Sequence, residues 1–159
     1  MAQNSFRPSK GKWLLKDFVL DTSAGALEKG DLIEIESESV LASADGAVEL
    51  ATSDAEAIVG ISAQDLADTA ADTAIKVWVP AEPKSEMTGK INSGVAVVGT
   101  DANRPCDIYT HEGVNVDAHT INHVFLVRTT VATADGTVTP GEGIFRIVKT
   151  PELMGIADS

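Results

Sequence analysis

Apolar residues in this chain recur at every second position over short stretches, and that period fixes what it can fold into. Over residues 74–80, Ile75, Val77 and Val79 alternate with Lys76 and Trp78; over 143–149, Phe145 and Ile147 point one way and Ile144, Arg146 and Val148 the other. Over 31–36, Ile33 and Ile35 alternate with Glu34 and Glu36. A period of two belongs to a pleated strand with one buried face. Residues 57–63 and 123–129 are nearly continuous apolar runs and predict central strands. Turn chemistry falls at strand-length intervals: Lys29-Gly30-Asp31 opens a strand, Ala44-Asp45-Gly46 and Ala134-Asp135-Gly136 read as hairpins, and Pro140-Gly141 closes another strand. Many short strands punctuated in this way predict an all-β barrel or sandwich. The one helix candidate, 62–73, has Leu66 as its sole large apolar residue and so lacks a core-facing stripe. It is expected to be a loop holding at most a single helical turn.

Residues 1–16 read as an N-terminal arm, 17–149 as the all-β domain and 150–159 as a C-terminal tail. Within the domain, strand groups at 20–80 and 81–149 meet at the polar stretch Glu82-Pro83-Lys84-Ser85-Glu86, and they make either one barrel or two. The flanks of the two Ala-Asp-Gly turns do not align, so no repeat is inferred. On this reading, removal of residues 2–12 leaves the fold intact.

A hydrophobic content of 43% places the 159-residue chain among globular proteins, and no apolar run reaches the length of a membrane span. After Arg7, Lys10 and Lys12, the apolar run Trp13-Leu14-Leu15 is ended by Lys16 and Asp17, which is not the pattern of a secretory signal. Synthesis and assembly in a cytoplasm are expected. The single cysteine, Cys106, excludes an intramolecular disulfide and is expected to be a buried thiol. Charge is unevenly placed. Residues 1–16 hold Arg7, Lys10, Lys12 and Lys16 and no acid; against a total of −12, the remainder holds four more negative charges than the whole, −16. A body this acidic repels nucleic-acid phosphate and anionic membrane, so neither is expected as a direct partner.

The motifs of common chemistries are missing. There is no Gly-x-Ser-x-Gly elbow, phosphate loop or dinucleotide fingerprint. His111, His119 and His123 would have to converge with carboxylates such as Glu112 or Asp117 to hold a metal; surface or strand-end positions are expected instead. Asp65, Asp68 and Asp72 lack the spacing of a calcium loop and read as a solvated acidic loop. Aromatic residues, at 4%, are too few for nucleic-acid stacking platforms. No catalytic residue, cofactor or metal is assigned, and the chain is not expected to be an enzyme. Trp78, within a strand, reads as core, interface or ligand platform, in that order.

Three stretches in succession carry a resemblance: Gly30-Asp31-Leu32-Ile33-Glu34-Ile35, Ala57-Ile58-Val59-Gly60-Ile61-Ser62-Ala63 and Ile75-Lys76-Val77-Trp78-Val79. With Cys106-Asp107-Ile108-Tyr109, Gly113-Val114-Asn115-Val116-Asp117 and Phe145-Arg146-Ile147-Val148, they make residues 26–149 similar to the capsid decoration (cement) proteins of tailed bacteriophages. The resemblance implies a small, β-tulip-like barrel or sandwich with an extended N-terminal arm. It also implies a homotrimer on the exterior of a virion that bridges major capsid subunits and stabilises the shell. The arm would supply the contacts through Phe6, Arg7, Pro8, Lys10, Lys12 and Trp13, with Trp78 beside them. Aromatic and arginine residues dominate interface energies, so this composition suits an anchor.

Two other classes fit an all-β chain of this size. One is a small trimeric nucleotide hydrolase, although the surroundings of Tyr109, the only tyrosine, do not match its motifs. The other is a carbohydrate-binding or adhesion module, against which the low aromatic content argues.

Overall fold

The computed structural model describes residues 6–20, 25–35, 48–53, 55, 57–69, 74–91, 103–116, 118–129 and 142–148. Thirteen strands and no helix lie among them: β1 (Phe6–Lys10), β2 (Trp13–Val19), β3 (Gly25–Leu27), β4 (Leu32–Ile35), β5 (Val48–Leu50), β6 (Ile58–Ser62), β7 (Leu66–Thr69), β8 (Ala74–Pro80), β9 (Glu86–Lys90), β10 (Arg104–Thr110), β11 (Gly113–Asn115), β12 (Val124–Thr129) and β13 (Glu142–Ile147). A six-stranded sheet runs β1-β9-β13-β12-β10-β11, a five-stranded sheet runs β2-β8-β6-β4-β5, and β3 pairs with β7 as a ribbon. Every pairing within the sheets is antiparallel. The protein is thus all-β, as the period of two predicts, with a sandwich-like arrangement. Single-pair bridges, Leu20 to Val48 and Ile91 to Val114, show both sheets strongly curled, and among the described residues neither closes into a barrel.

The alternation sorts the side chains. In β8, Ile75 and Val77 are buried on one face, while Trp78 packs half-buried on the other. In β13, Phe145 and Ile147 are buried and Ile144 and Arg146 are partly exposed. β4 and β6 lie centrally and are covered on both faces: Leu32, Ile58 and Ile61 join one core cluster, Ile33 and Val59 the other. The first cluster also takes Met87, Cys106, Ile108, Leu126 and Phe145 from the six-stranded sheet, so it is the interior between the sheets. The second contains Leu27, beside half-buried Leu66, and the β3–β7 ribbon therefore covers the far face of the five-stranded sheet. Polar bonds also cross between the sheets: Leu32 N–H donates to the His111 carbonyl at 2.8 Å, and the His123 ring reaches the Ala55 carbonyl at 2.8 Å.

Three expectations are corrected. The stretch from Phe6 to Lys16 is no arm. β1 joins the six-stranded sheet beside β9 and β2 joins the five-stranded sheet beside β8. Phe6 is 1% exposed, and its ring lies where a Cβ on Gly89 would come within 2.1 Å of it. Burial of Phe6 and strand pairing hold the segment in the sheets despite its basic residues. Within 62–73, Leu66–Thr69 is a strand, because pairing with β3 satisfies its backbone without needing an apolar stripe. His123, expected at the surface or at a strand end, stands immediately before β12 and is fully buried between backbone groups, so the strand-end alternative holds and the surface one does not. The turns at Asp45-Gly46, Asp135-Gly136 and Pro140-Gly141, the tail 150–159 and residues 1–5 lie outside the described residues.

Removing residues 2–12 therefore deletes β1 and is expected to collapse the cooperative unfolding transition, contrary to the arm reading. Phe6→Ala should cost about 3–5 kcal/mol in urea unfolding, and Gly89→Ala should also destabilise by crowding the ring. Stability unchanged in Phe6→Ala would show that β1 is not part of the core.

Candidate functional site

β1 and β2 are joined by Gly11 and Lys12, so the chain steps from an edge of one sheet to an edge of the other within two residues. The 81–85 turn clasps this corner. Ala81 N–H donates to the Lys12 carbonyl at 2.9 Å, the Ser85 hydroxyl donates to the same carbonyl at 2.6 Å, and Lys12 N–H donates to Glu82 Oε1 at 3.3 Å. The polar stretch between the strand groups is thus a structural brace. The Trp13 indole N–H closes the corner on the Lys10 carbonyl at 3.1 Å.

The residues expected to make protein contacts divide into three sets. Phe6 is committed to the core. Arg7 is exposed and pairs with Glu142 at 3.0 Å; at this exposure the pair contributes about 0–1 kcal/mol. Its hydrogen bond draws the Glu142 carboxyl below its usual range, against a smaller opposing effect of burial. Lys10 and Lys12 are exposed, and Pro8, Trp13 and Trp78 are half-buried. Trp13 lies opposite Pro80 and Trp78 opposite Leu15. Residues two apart on a strand share a face, so the two tryptophans are diagonal neighbours on one face, although far apart in sequence. Both pack at the margin of the inter-sheet core. Next to them a cleft of about 210 Å³ opens between β1 and the five-stranded sheet, walled by Phe6, Pro8, Ile61 and Trp78, with Lys29 also lining it.

The sequence reading missed the apolar exposure on β2. Leu14, Leu15 and Val19 are 43%, 47% and 41% exposed, and with Tyr109 they are the large exposed hydrophobics among the described residues. The available signal was Trp13-Leu14-Leu15-Lys16-Asp17-Phe18-Val19, a strand apolar on both faces, which the arm reading hid.

The histidines do not converge. His119 Nδ1 lies 2.8 Å from the Pro105 carbonyl, and His111 Nδ1 lies 3.1 Å from Asp31 Oδ1. His123 Nδ1 accepts from Ile108 N–H at 3.1 Å, which assigns the proton to Nε2, facing the Ala55 carbonyl. Among the described residues no three of His, Cys, Asp and Glu group as a metal site. Asp107 organises a turn: it accepts from Thr120 N–H at 3.0 Å and Ile121 N–H at 2.9 Å, and also from Asn122 N–H. Burial pushes its carboxyl up, but these three donors outweigh burial and hold it low. Ser62, on the cleft, exchanges hydrogen bonds with the Gln64 backbone at 3.0 and 3.3 Å.

His111 is raised above its ordinary value, chiefly by its hydrogen bond to Asp31, with burial opposing and the charges of Asp31, Glu112 and Glu28 assisting. A raised folded value means that the pair's stabilisation is complete below pH 6.5 and is lost as pH rises through the folded value. Urea unfolding should therefore show wild type losing stability relative to His111→Asn as pH rises above about 6.5. Parallel profiles would remove the pair from the account.

No family model, curated protein or solved structure matches the chain.

Proposed function

We propose that the protein is an auxiliary capsid protein that binds the outer surface of an icosahedral viral shell and bridges its major capsid subunits. On this reading it is made in a host cytoplasm, acts as a homotrimer on the virion exterior, and performs no catalysis. The observation that carries the reading is the braced β1–β2 corner. It presents Lys10 and Lys12 beside exposed Leu14 and Leu15, on a chain whose other 143 residues are strongly acidic. Such a corner suits a protein surface of opposite charge, because rim cations steer encounter and exposed apolar side chains gain burial on docking. The resemblance of residues 26–149 to phage decoration proteins supplies the class of partner. The mechanism is mass action: a protein that binds the assembled shell and not its separated subunits shifts the equilibrium toward the shell. Three linked copies make individually modest contacts effective.

Purified protein mixed with expanded shells of its cognate capsid should co-sediment saturably and raise the temperature at which the shells open. Lys10→Glu combined with Lys12→Glu should weaken binding by about tenfold at low salt and by less at high salt. Absence of association with expanded shells would overturn the reading.

A further inference from the structure

The two sheets have four edge strands, and three of them are poor templates for pairing. β5 and β11 are three residues long. β1 is interrupted by Pro8: Phe6 N–H points away from β9 to the Gly30 carbonyl at 3.0 Å, so the N–H missing at Pro8, two residues on, belongs to the same outer side. Short edges and edge prolines are the usual protection against strand addition. β2 has neither. It is seven residues long and free of proline and glycine. It carries three of the four large exposed hydrophobics among the described residues.

The polarity of its backbone follows from two bonds. The Lys12 carbonyl takes Ala81 N–H, and the Lys76 carbonyl takes Ala63 N–H, so even-numbered residues of β2 and odd-numbered residues of β8 face each other. Leu15 and Asp17 accordingly direct their N–H and carbonyl groups to the open side, which ends where the single bridge from Leu20 to Val48 brings β5 against the end of β2. The Asp17 carboxylate is taken by Lys76 at 2.9 Å, while Lys10 and Lys12 stand exposed at the N-terminal end of the strand.

We propose that the β2 edge takes up an extended strand from a partner polypeptide. That strand places apolar residues beside Leu15, short of the end that β5 covers, and carries acidic residues at the end next to Lys10 and Lys12. A second copy of β2 is a poor occupant. Antiparallel pairing about a two-fold axis needs opposed residues of the same parity, and the register with most overlap sets Lys16 against Lys16, while those centred on Leu15 or Asp17 overlap over only part of the strand. Like charges directly opposite are destabilising. Backbone bonds to the edge supply affinity, and the flanking side chains and charges supply selection. The inference rests on the reading that this protein binds protein surfaces and names where, but it does not need the partner to be a capsid subunit.

The test is selection from a random library of peptides of about twelve residues, long enough to span the strand, on the immobilised full-length protein. Enriched peptides should alternate apolar residues and end in Asp or Glu. They should bind Leu15→Pro at least about tenfold more weakly, while the variant melts close to wild type because Leu15 N–H makes no bond to β8. Leu15→Glu, which leaves the backbone intact, should lose the same peptides. No enrichment, equal binding by both variants, or a wild-type dimer that Leu15→Pro renders monomeric would overturn the proposal. Wild type that binds shells equally well through Leu15→Pro would keep the proposed function and remove this surface. Wild type that selects such peptides but ignores shells would keep the surface and remove the function.

Discussion

The burial of the Phe6 ring against the bare backbone of Gly89 fastens the beginning of the described chain into the six-stranded sheet. No side chain larger than hydrogen fits at residue 89 while the ring is there. The ring belongs to the same apolar interior as Leu32 and Ile58 from one sheet and Leu126 and Phe145 from the other. Burial of this kind scales with the area removed from water, and the two sheets share one such interior. β1 is the only strand of the six-stranded sheet drawn from the first half of the chain, so its seating ties the two halves together.

From that seat the rest of the corner follows. Two residues beyond β1 the chain must enter the five-stranded sheet, which leaves the cleft between β1 and the β6 and β8 strands of that sheet. Ser85 and Glu82 brace the step: the Ser85 hydroxyl adds a second bond to the Lys12 carbonyl, which Ala81 N–H already holds, and Glu82 takes the Lys12 N–H. The same geometry sets Trp13 and Trp78 on one face at the rim of the core, and it turns the exposed side chains of β2 outward. Basic charge and apolar exposure are thus held on a rigid support and not on a solvated end. A rigid support lowers the ordering cost of any contact made there.

The fold class was legible because a period of two survives in β8 and β13, where one face is buried and the other partly exposed. The five-stranded sheet takes its strands from β2 to β8, and the six-stranded sheet takes β9 to β13 together with β1. β1 was illegible because Phe6-Arg7-Pro8-Ser9-Lys10 has one apolar anchor, and its partner β9 contributes Gly89, whose role is the absence of a side chain. β7 was illegible because Leu66–Thr69 is held by backbone pairing to β3, which leaves no hydropathy signal. The burial of His123 was illegible because its ring is satisfied by the backbone of Ile108 and Ala55, residues distant in sequence. Of the contact residues named from sequence, Lys10 and Lys12 stand exposed and Trp13 and Trp78 lie together, whereas Phe6 is spent on the core. The exposed β2 residues were hidden by the same reading that made 1–16 an arm.

Amide hydrogen exchange across residues 6–19 tests the central claim, that this segment is sheet and not arm, most directly. Slow exchange is expected for Arg7 and for the β8-facing amides of Leu14, Lys16 and Phe18, with faster exchange at Leu15 and Asp17 on the open side. Uniformly fast exchange over the whole segment, at the rate of an unstructured chain, would contradict it.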